Sequence, residues 1–79
     1  MPMDAQRDAE RARTMTRFSL RLCKIMRQRG LTYVEMGKRC GISAGYLSNM
    51  CNGRRAPTLM TLLRLRRGLG CTWEELMGE

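Results

Sequence analysis

Large apolar residues recur at helical spacing from position 18 onward. The first four of them share one face of a helix: Phe18, Leu22, Ile25 and Met26. Basic residues take the opposite face and Gly30 is a natural end, so the pattern predicts a first helix that starts at Phe18. Residues 1–17 carry many charges and few large apolar groups. They predict a frayed or partly helical N-terminal extension that has no face to bury.

Capping signals predict four shorter helices after Gly30. The N-cap candidates are Thr32, Ser43, Thr58 and Thr72. Thr32 and Thr72 are each followed three residues later by a glutamate, which is the capping-box pattern. The segments are separated or ended by Gly41, Asn52-Gly53, Gly68 and Gly70. Because no stretch alternates apolar and polar residues with period two, we expect an all-α, compact five-helix domain over residues 18–79.

Composition adds a strong positive charge to these helices. The 79 residues contain 15 Lys and Arg against 7 Asp and Glu, which gives a net charge of +8. From Arg17 to Arg67 there are twelve basic residues and one acidic residue, Glu35. Such an excess predicts a polyanionic partner, either nucleic acid or an anionic membrane. The chain has no histidine, the commonest general base and metal ligand, so we expect no enzyme.

The four cysteines do not have the spacing of a metal site. Cys23, Cys40, Cys51 and Cys71 are 17, 11 and 20 residues apart, and no two of them form a CxxC pair. We therefore expect no metal and no cofactor, and interpret the cysteines as small apolar residues in a reducing compartment. The first seventeen residues are charged throughout and no apolar run is long enough for a membrane span. These features predict a cytoplasmic protein.

Residues 32–53 carry the most informative pattern of the chain. The segment TYVEMGKRCGISAGYLSNMCNG holds two short capped helices, a turn at Gly41, and Gly37 where the helices must pack closely. With one helix before it and two after, it resembles the Cro/repressor-like (Xre) helix-turn-helix family. The segments GLT (30–32), CGIS (40–43), YLSNMCNGRRAPT (46–58) and LGCTWEEL (69–76) fall where that family places equivalent ones. The resemblance covers about residues 18–77.

The resemblance implies a recognition helix, residues 43–51, that lies in the major groove of DNA. The base-reading positions carried over from the family are Ala44, Gly45, Ser48 and Asn49. The positions that would contact the DNA backbone are Thr32, Tyr33, Ser43, Tyr46, Asn52, Arg54 and Arg55. Asn49 suits the adenine edge and Ala44 a thymine methyl, whereas Gly45 reads nothing and admits close approach of the backbone. For Arg54 and Arg55, a phosphate clamp, insertion into the minor groove and plain solvation stay open.

Several positions depart from the family pattern or have two interpretations. Tyr33 stands where members often carry glutamine, and its hydroxyl can still donate to a phosphate. Met26 and Cys51 replace a pair of opposite charges found in many members, so we expect Cys51 to pack on Met26. Trp73 is interpreted as an anchor under the last helix. Tyr46 either touches the DNA backbone or covers the second helix.

The function implied by this resemblance is a sequence-specific, double-stranded DNA-binding transcriptional regulator of bacterial or phage type. It would act by occupying an operator, as a homodimer formed through the last helix around Leu76 and Met77. The alternative is a protein-binding antiactivator or antitoxin module that reuses the fold and binds a transcription activator or polymerase. The sparse base-reading set, with Ala44 and Gly45, favours that alternative. A membrane-surface peptide is excluded because the helices are too short for one amphipathic face.

Overall fold

The computed structural model describes residues 2–78. It contains five helices: α1 (Pro2–Gln28), α2 (Tyr33–Cys40), α3 (Ala44–Cys51), α4 (Leu59–Leu69) and α5 (Trp73–Met77). No strand occurs among the described residues. The all-α class and the number of helices predicted from the sequence are therefore confirmed.

The first helix is longer than the apolar pattern predicts. It begins at Pro2 rather than Phe18. Residues 5–14 are helical and exposed, which agrees with the helical alternative for the extension and not with the frayed one. Alanine and arginine make up six of the ten residues 5–14 and have high helix propensity, and extending an existing helix needs no new nucleation. The proposed division into an extension, 1–17, and a domain, 18–79, stays a prediction, and its outer limits lie outside the described residues. No described helix combines the length and the apolar character needed to cross a membrane.

The core is assembled from all five helices. Its largest fully buried side chains are Leu22, Met36, Leu47, Met50, Leu65 and Leu76. Phe18, Ile25 and Met26 complete the buried face of α1, as their spacing predicts. The Ser19 hydroxyl within that face donates to the Met50 carbonyl oxygen at 2.8 Å, so a polar contact also fixes α3 against α1.

Close helix packing depends on two glycines. A side-chain carbon at Gly37 would collide with the carbonyl oxygen of Ile42, so α2 carries glycine where the turn passes over it. Gly68 was expected to help end α4, but it lies inside that helix, which ends at Leu69. A side-chain carbon there would collide with Cys40, so Gly68 permits the close contact between α4 and α2. The helix ends because Gly70 adopts a left-handed conformation, with φ of 62°.

Both predicted capping boxes form. The Thr32 hydroxyl accepts from the Glu35 N–H at 3.1 Å, and the Thr32 N–H donates to the Glu35 carboxylate at 2.9 Å. Thr72 and Glu75 repeat this arrangement, with 3.0 Å for the bond to the hydroxyl and 2.9 Å for the bond to the carboxylate. These bonds satisfy backbone donors that a helix start otherwise leaves without partners.

Acidification is expected to weaken both caps. The Thr32 N–H and hydroxyl hold the pKa of Glu35 below its usual range, and Thr72 does the same for Glu75. The unfolded chain then binds more protons than the folded one, so the stabilisation is present above about pH 4.3 and is lost as the pH falls through the lower folded pKa. Thermal unfolding between pH 7 and pH 2.5 should show this loss. A Glu35→Gln/Glu75→Gln variant should lose less of its stability over the same range, and an equal loss would contradict the assignment.

Candidate nucleic-acid interface

A tight turn sets the angle between α2 and α3. Gly41 takes a left-handed conformation with φ of 70°, and the N–H groups of Gly41 and Ile42 donate to the Gly37 carbonyl oxygen at 2.8 and 3.0 Å. Ser43 then caps α3 by accepting from the Tyr46 N–H at 3.1 Å. The two helices are therefore locked together as one rigid unit, and α3 has a fixed outer face.

The predicted base-reading residues cluster on that outer face. Leu47, Met50 and Cys51 bury one side of α3. At 3.6 residues per turn, Gly45, Ser48 and Asn49 fall on the opposite side, with Ala44 at its edge in the first turn. Gly45 is exposed, whereas Ala44, Ser48 and Asn49 are half-buried. The structure thus brings the four predicted residues onto one short surface.

Gly45 has no internal reason to be glycine. A side-chain carbon added there would meet nothing within 4 Å, and its φ does not lie in the left-handed region. This contrasts with Gly37, where neighbouring backbone excludes any side chain. Glycine lowers helix stability by roughly 0.5–1 kcal/mol relative to alanine, and no contact within the chain accounts for a glycine at this open position.

The polar side chains near the end of α3 differ in whether their hydrogen-bonding groups are already used within the chain. The Asn52 amide donates to the Ser48 carbonyl oxygen at 2.8 Å and lies 3.5 Å from the Ser48 hydroxyl oxygen. A phosphate would therefore have to compete for the Asn52 amide hydrogens. No side-chain hydrogen bond in the described part of α3 uses the Asn49 amide, so both its donor and its acceptor are free to meet a base.

Three predicted backbone contacts gather where α2 and α3 begin. The hydroxyl oxygens of Thr32 and Ser43 each accept a cap bond, which leaves each hydroxyl hydrogen free to donate. The Tyr33 hydroxyl lies beside Ser48 and Cys51, and burial together with the neighbouring thiols raises its pKa. It is therefore a neutral donor at physiological pH. Hydroxyl donors of this kind can bind phosphate oxygens.

Tyr46 positions the loop after α3. Its hydroxyl donates to the Ala56 carbonyl oxygen at 3.2 Å and accepts from the Thr61 hydroxyl at 3.4 Å. The Arg55 guanidinium stacks on its ring, with the guanidinium carbon 5.6 Å from the centroid. The hydroxyl proton of Tyr46 is thus used within the chain. The sequence suggested that Tyr46 contacts the DNA backbone or covers the second helix, and neither interpretation included this attachment to the loop.

Arg54 and Arg55 are exposed and held close to the end of α3. Their backbone N–H groups donate to the Asn49 carbonyl oxygen at 2.8 and 3.3 Å. This ties both arginines to the last turn of the helix that carries the predicted base-reading residues. A charged pair at this place lies beside that face rather than on a remote part of the surface.

One residue outside this surface differs from the sequence interpretation. Trp73 is 40% exposed and lies against the Arg66 guanidinium at 5.1 Å, while Leu76 is the anchor of α5. Arg29, just after α1, is exposed as expected, and it also donates to the Leu69 carbonyl oxygen and so caps the end of α4. The predicted contact of Cys51 with Met26 is confirmed, with 3.6 Å between the sulfur atoms.

The turn, the two locked helices and the exposed face of α3 together define a helix-turn-helix protein. The family model for helix-turn-helix proteins of the Cro/C1 type matches residues 24–76, and the chain belongs to this family. It is similar to y4dJ of Sinorhizobium fredii, described as an uncharacterized HTH-type transcriptional regulator, with 43% identity over 54 residues. That match covers 68% of this chain and 70% of the relative. No solved structure matches the chain.

Proposed function

We propose that this protein is a sequence-specific, double-stranded DNA-binding transcriptional regulator that acts by occupying an operator. Family membership and a relative described as a transcriptional regulator support this function. The single observation that carries it is the outer face of α3, where a free Asn49 amide and an unencumbered Gly45 lie next to exposed Arg54 and Arg55. A base-reading group beside phosphate-binding charges is the arrangement that sequence-specific binding requires.

The proposed contacts divide into two groups. Ala44, Gly45, Ser48 and Asn49 would meet base edges in the major groove, with Gly45 admitting close approach of the helix backbone. The free hydroxyls of Thr32 and Ser43 and the charges of Arg54 and Arg55 would hold phosphates. The Tyr33 hydroxyl lies beside Ser48 and Cys51 and would donate to a phosphate in place of them. Tyr46 and Asn52 would act mainly by positioning, since their donors are used within the chain. We expect this function to be exercised in the cytoplasm, without a cofactor and without catalysis.

Removal of the charges next to α3 should weaken binding to all duplexes alike. An Arg54→Ala/Arg55→Ala variant loses two phosphate contacts, so the slope of log affinity against log salt should become shallower by about 1 for each residue. Fluorescence anisotropy with a selected and a scrambled duplex at several salt concentrations measures both effects. If Arg55 instead enters the minor groove, its loss should be largest on duplexes with A-tracts.

The matched control removes the same charge elsewhere. Arg21 and Lys24 are exposed on α1, and Arg21→Ala/Lys24→Ala lowers the net charge of the chain by the same amount. We expect this variant to change the salt slope much less. Equal losses in the two double variants would show that binding depends only on net charge, and would contradict the proposed interface.

We propose further that the protein binds DNA as a homodimer, because one short recognition helix rarely supplies the roughly 10⁻⁸–10⁻¹¹ M affinity of specific sites. The interface predicted around Leu76 needs revision: Leu76 is fully buried in its own core and Met77 is half-buried. Sedimentation velocity, free and on the best duplex, should show two chains per site. A monomer under both conditions would contradict this part of the proposal.

A protein partner is the second candidate function. Leu59 and Met60, next to each other at the start of α4, are 75% and 55% exposed. Adjacent apolar side chains of this exposure suit a contact with an activator, a polymerase or a toxin. Leu59→Ser/Met60→Ser should leave DNA affinity unchanged if DNA is the main partner. This candidate replaces the first if the Arg54→Ala/Arg55→Ala variant keeps full DNA affinity at low salt.

A further inference from the structure

Three sulfur atoms, two from α1 and one from α3, meet between these two helices. The Cys51 sulfur lies 3.6 Å from the Met26 sulfur, and the Cys23 thiol is 3.4 Å from the Cys51 carbonyl oxygen. Cys23 and Met26 are three residues apart on α1 and therefore share one face of that helix. The Cys51 thiol also lies within hydrogen-bonding reach of the Cys23 thiol. The two thiols and the thioether thus form one cluster.

This sulfur cluster is reachable from outside. An open cleft of about 310 Å³ is lined by Cys23, Met26 and Cys51 together with Arg27, Leu31, Thr32 and Tyr33. Cys23 is half-buried, while Met26 and Cys51 are buried at its base. A small ion can therefore enter past Cys23 and be largely removed from water once it is bound.

The chemistry of the lining selects the kind of ion. It offers two thiols and a thioether, and it contains no carboxylate and no imidazole. Thiolate and thioether ligands favour soft ions such as Cu(I), whereas Mg²⁺ and Ca²⁺ require oxygen ligands. With metal–sulfur bonds of about 2.3 Å, three sulfur atoms around a trigonal ion lie about 4 Å apart. The 3.6 Å between the sulfurs of Met26 and Cys51 is close to that span.

We propose that Cys23, Cys51 and Met26 form a binding site for one soft monovalent cation, of the class of Cu(I). On binding, the S–H bonds of Cys23 and Cys51 break, two protons leave to solvent, and two metal–thiolate bonds form. The Met26 thioether adds a neutral third bond, and the oxidation state of the metal does not change. The site then carries one negative charge, which the Arg27 guanidinium at the cleft and a hydrogen bond from the Tyr33 hydroxyl offset.

The experiment uses Ag(I), an air-stable ion of the same charge and ligand preference, on the full chain kept reduced under nitrogen. Native mass spectrometry should show one tightly bound ion per chain with the loss of two protons. The same ion should raise the midpoint of thermal unfolding, because it binds the folded state. Cys23→Ser and Met26→Leu should each weaken binding at least about 10-fold, the smallest loss typical even of residues that only support metal ligands.

The other two cysteines provide the matched control. Cys40 and Cys71 are also close to each other but are buried at 5% and 4% exposure. Cys40→Ser should keep the high-affinity ion, after circular dichroism has shown that the variant is folded. The proposal is overturned if Cys40→Ser abolishes binding, if Cys23→Ser leaves it unchanged, or if Met26→Leu has no effect. DNA affinity is not used as a readout, so failure of this site leaves the proposed function untouched.

Discussion

Gly37→Ala is expected to destabilise the fold more than any other single-methyl change in the helix-turn-helix unit. The added carbon would fall on the Ile42 carbonyl oxygen, which belongs to the backbone of the turn and cannot move aside as a flexible side chain can. The N–H groups of Gly41 and Ile42 both donate to the Gly37 carbonyl oxygen, so the turn is held in place next to Gly37. Overpacking of this kind costs about 1–3 kcal/mol, a large fraction of the stability of so small a domain.

Gly45→Ala is the matched control, because it adds the same methyl group to an exposed helical glycine with open space around it. This variant should gain about 0.5–1 kcal/mol in the free energy of unfolding. Urea denaturation of both variants measures the two effects, which should have opposite signs. If Gly37→Ala is as stable as the native chain, the close contact between Gly37 and the Ile42 carbonyl oxygen would be contradicted. A stable Gly45→Ala variant with weakened DNA binding would support close approach of the helix to DNA.

Local patterns predicted the parts of the fold that local chemistry determines. The capping boxes at Thr32 and Thr72 form because the two partners of each bond are only three residues apart. The spacing of apolar residues from Phe18 to Met26 likewise depends on one face of one helix, so it can be recognised in the sequence. The start of α1 was missed for the opposite reason: burial ends at residue 15, but helix propensity does not.

Contacts between distant segments were beyond the reach of such patterns. Gly68 was interpreted as a helix end, since glycine is a poor helix former, but the proximity of Cys40 determines its role. Trp73 was interpreted as an anchor under the last helix, yet its side chain is exposed and Arg66 lies over its ring. The cysteine spacing argued against a zinc framework and gave no sign that Cys23 and Cys51 meet. Only the fold brings them together.

The resemblance to known helix-turn-helix proteins predicts which residues would contact DNA, but it does not predict how their side chains are bonded. It assigns such contacts to Ser48, Asn49 and Asn52. It could not show that the Asn52 amide is bonded back to Ser48 while the Asn49 amide is free. That difference depends on side-chain conformations, and it makes Asn49 the most informative position for substitution.

Asn49→Ala should remove sequence preference at one base pair and leave the rest of DNA binding intact. The side chain presents a donor and an acceptor in one plane, which matches the adenine edge, and it makes no charge contact with phosphates. Its loss should cost about 1–3 kcal/mol on the preferred site, or about 5- to 150-fold in affinity. Binding to unrelated duplexes, which depends on the arginines, should stay the same.

The most direct test of DNA recognition through α3 is a comparison of two affinities in two proteins. Duplexes are first selected from a random pool by the native chain, and the best duplex and a scrambled version are then titrated with native protein and Asn49→Ala at one fixed salt concentration. The account predicts that the native chain prefers the selected duplex, and that Asn49→Ala loses affinity for that duplex alone. Selection that yields no preferred sequence, or an Asn49→Ala variant with unchanged affinity for both duplexes, would contradict it.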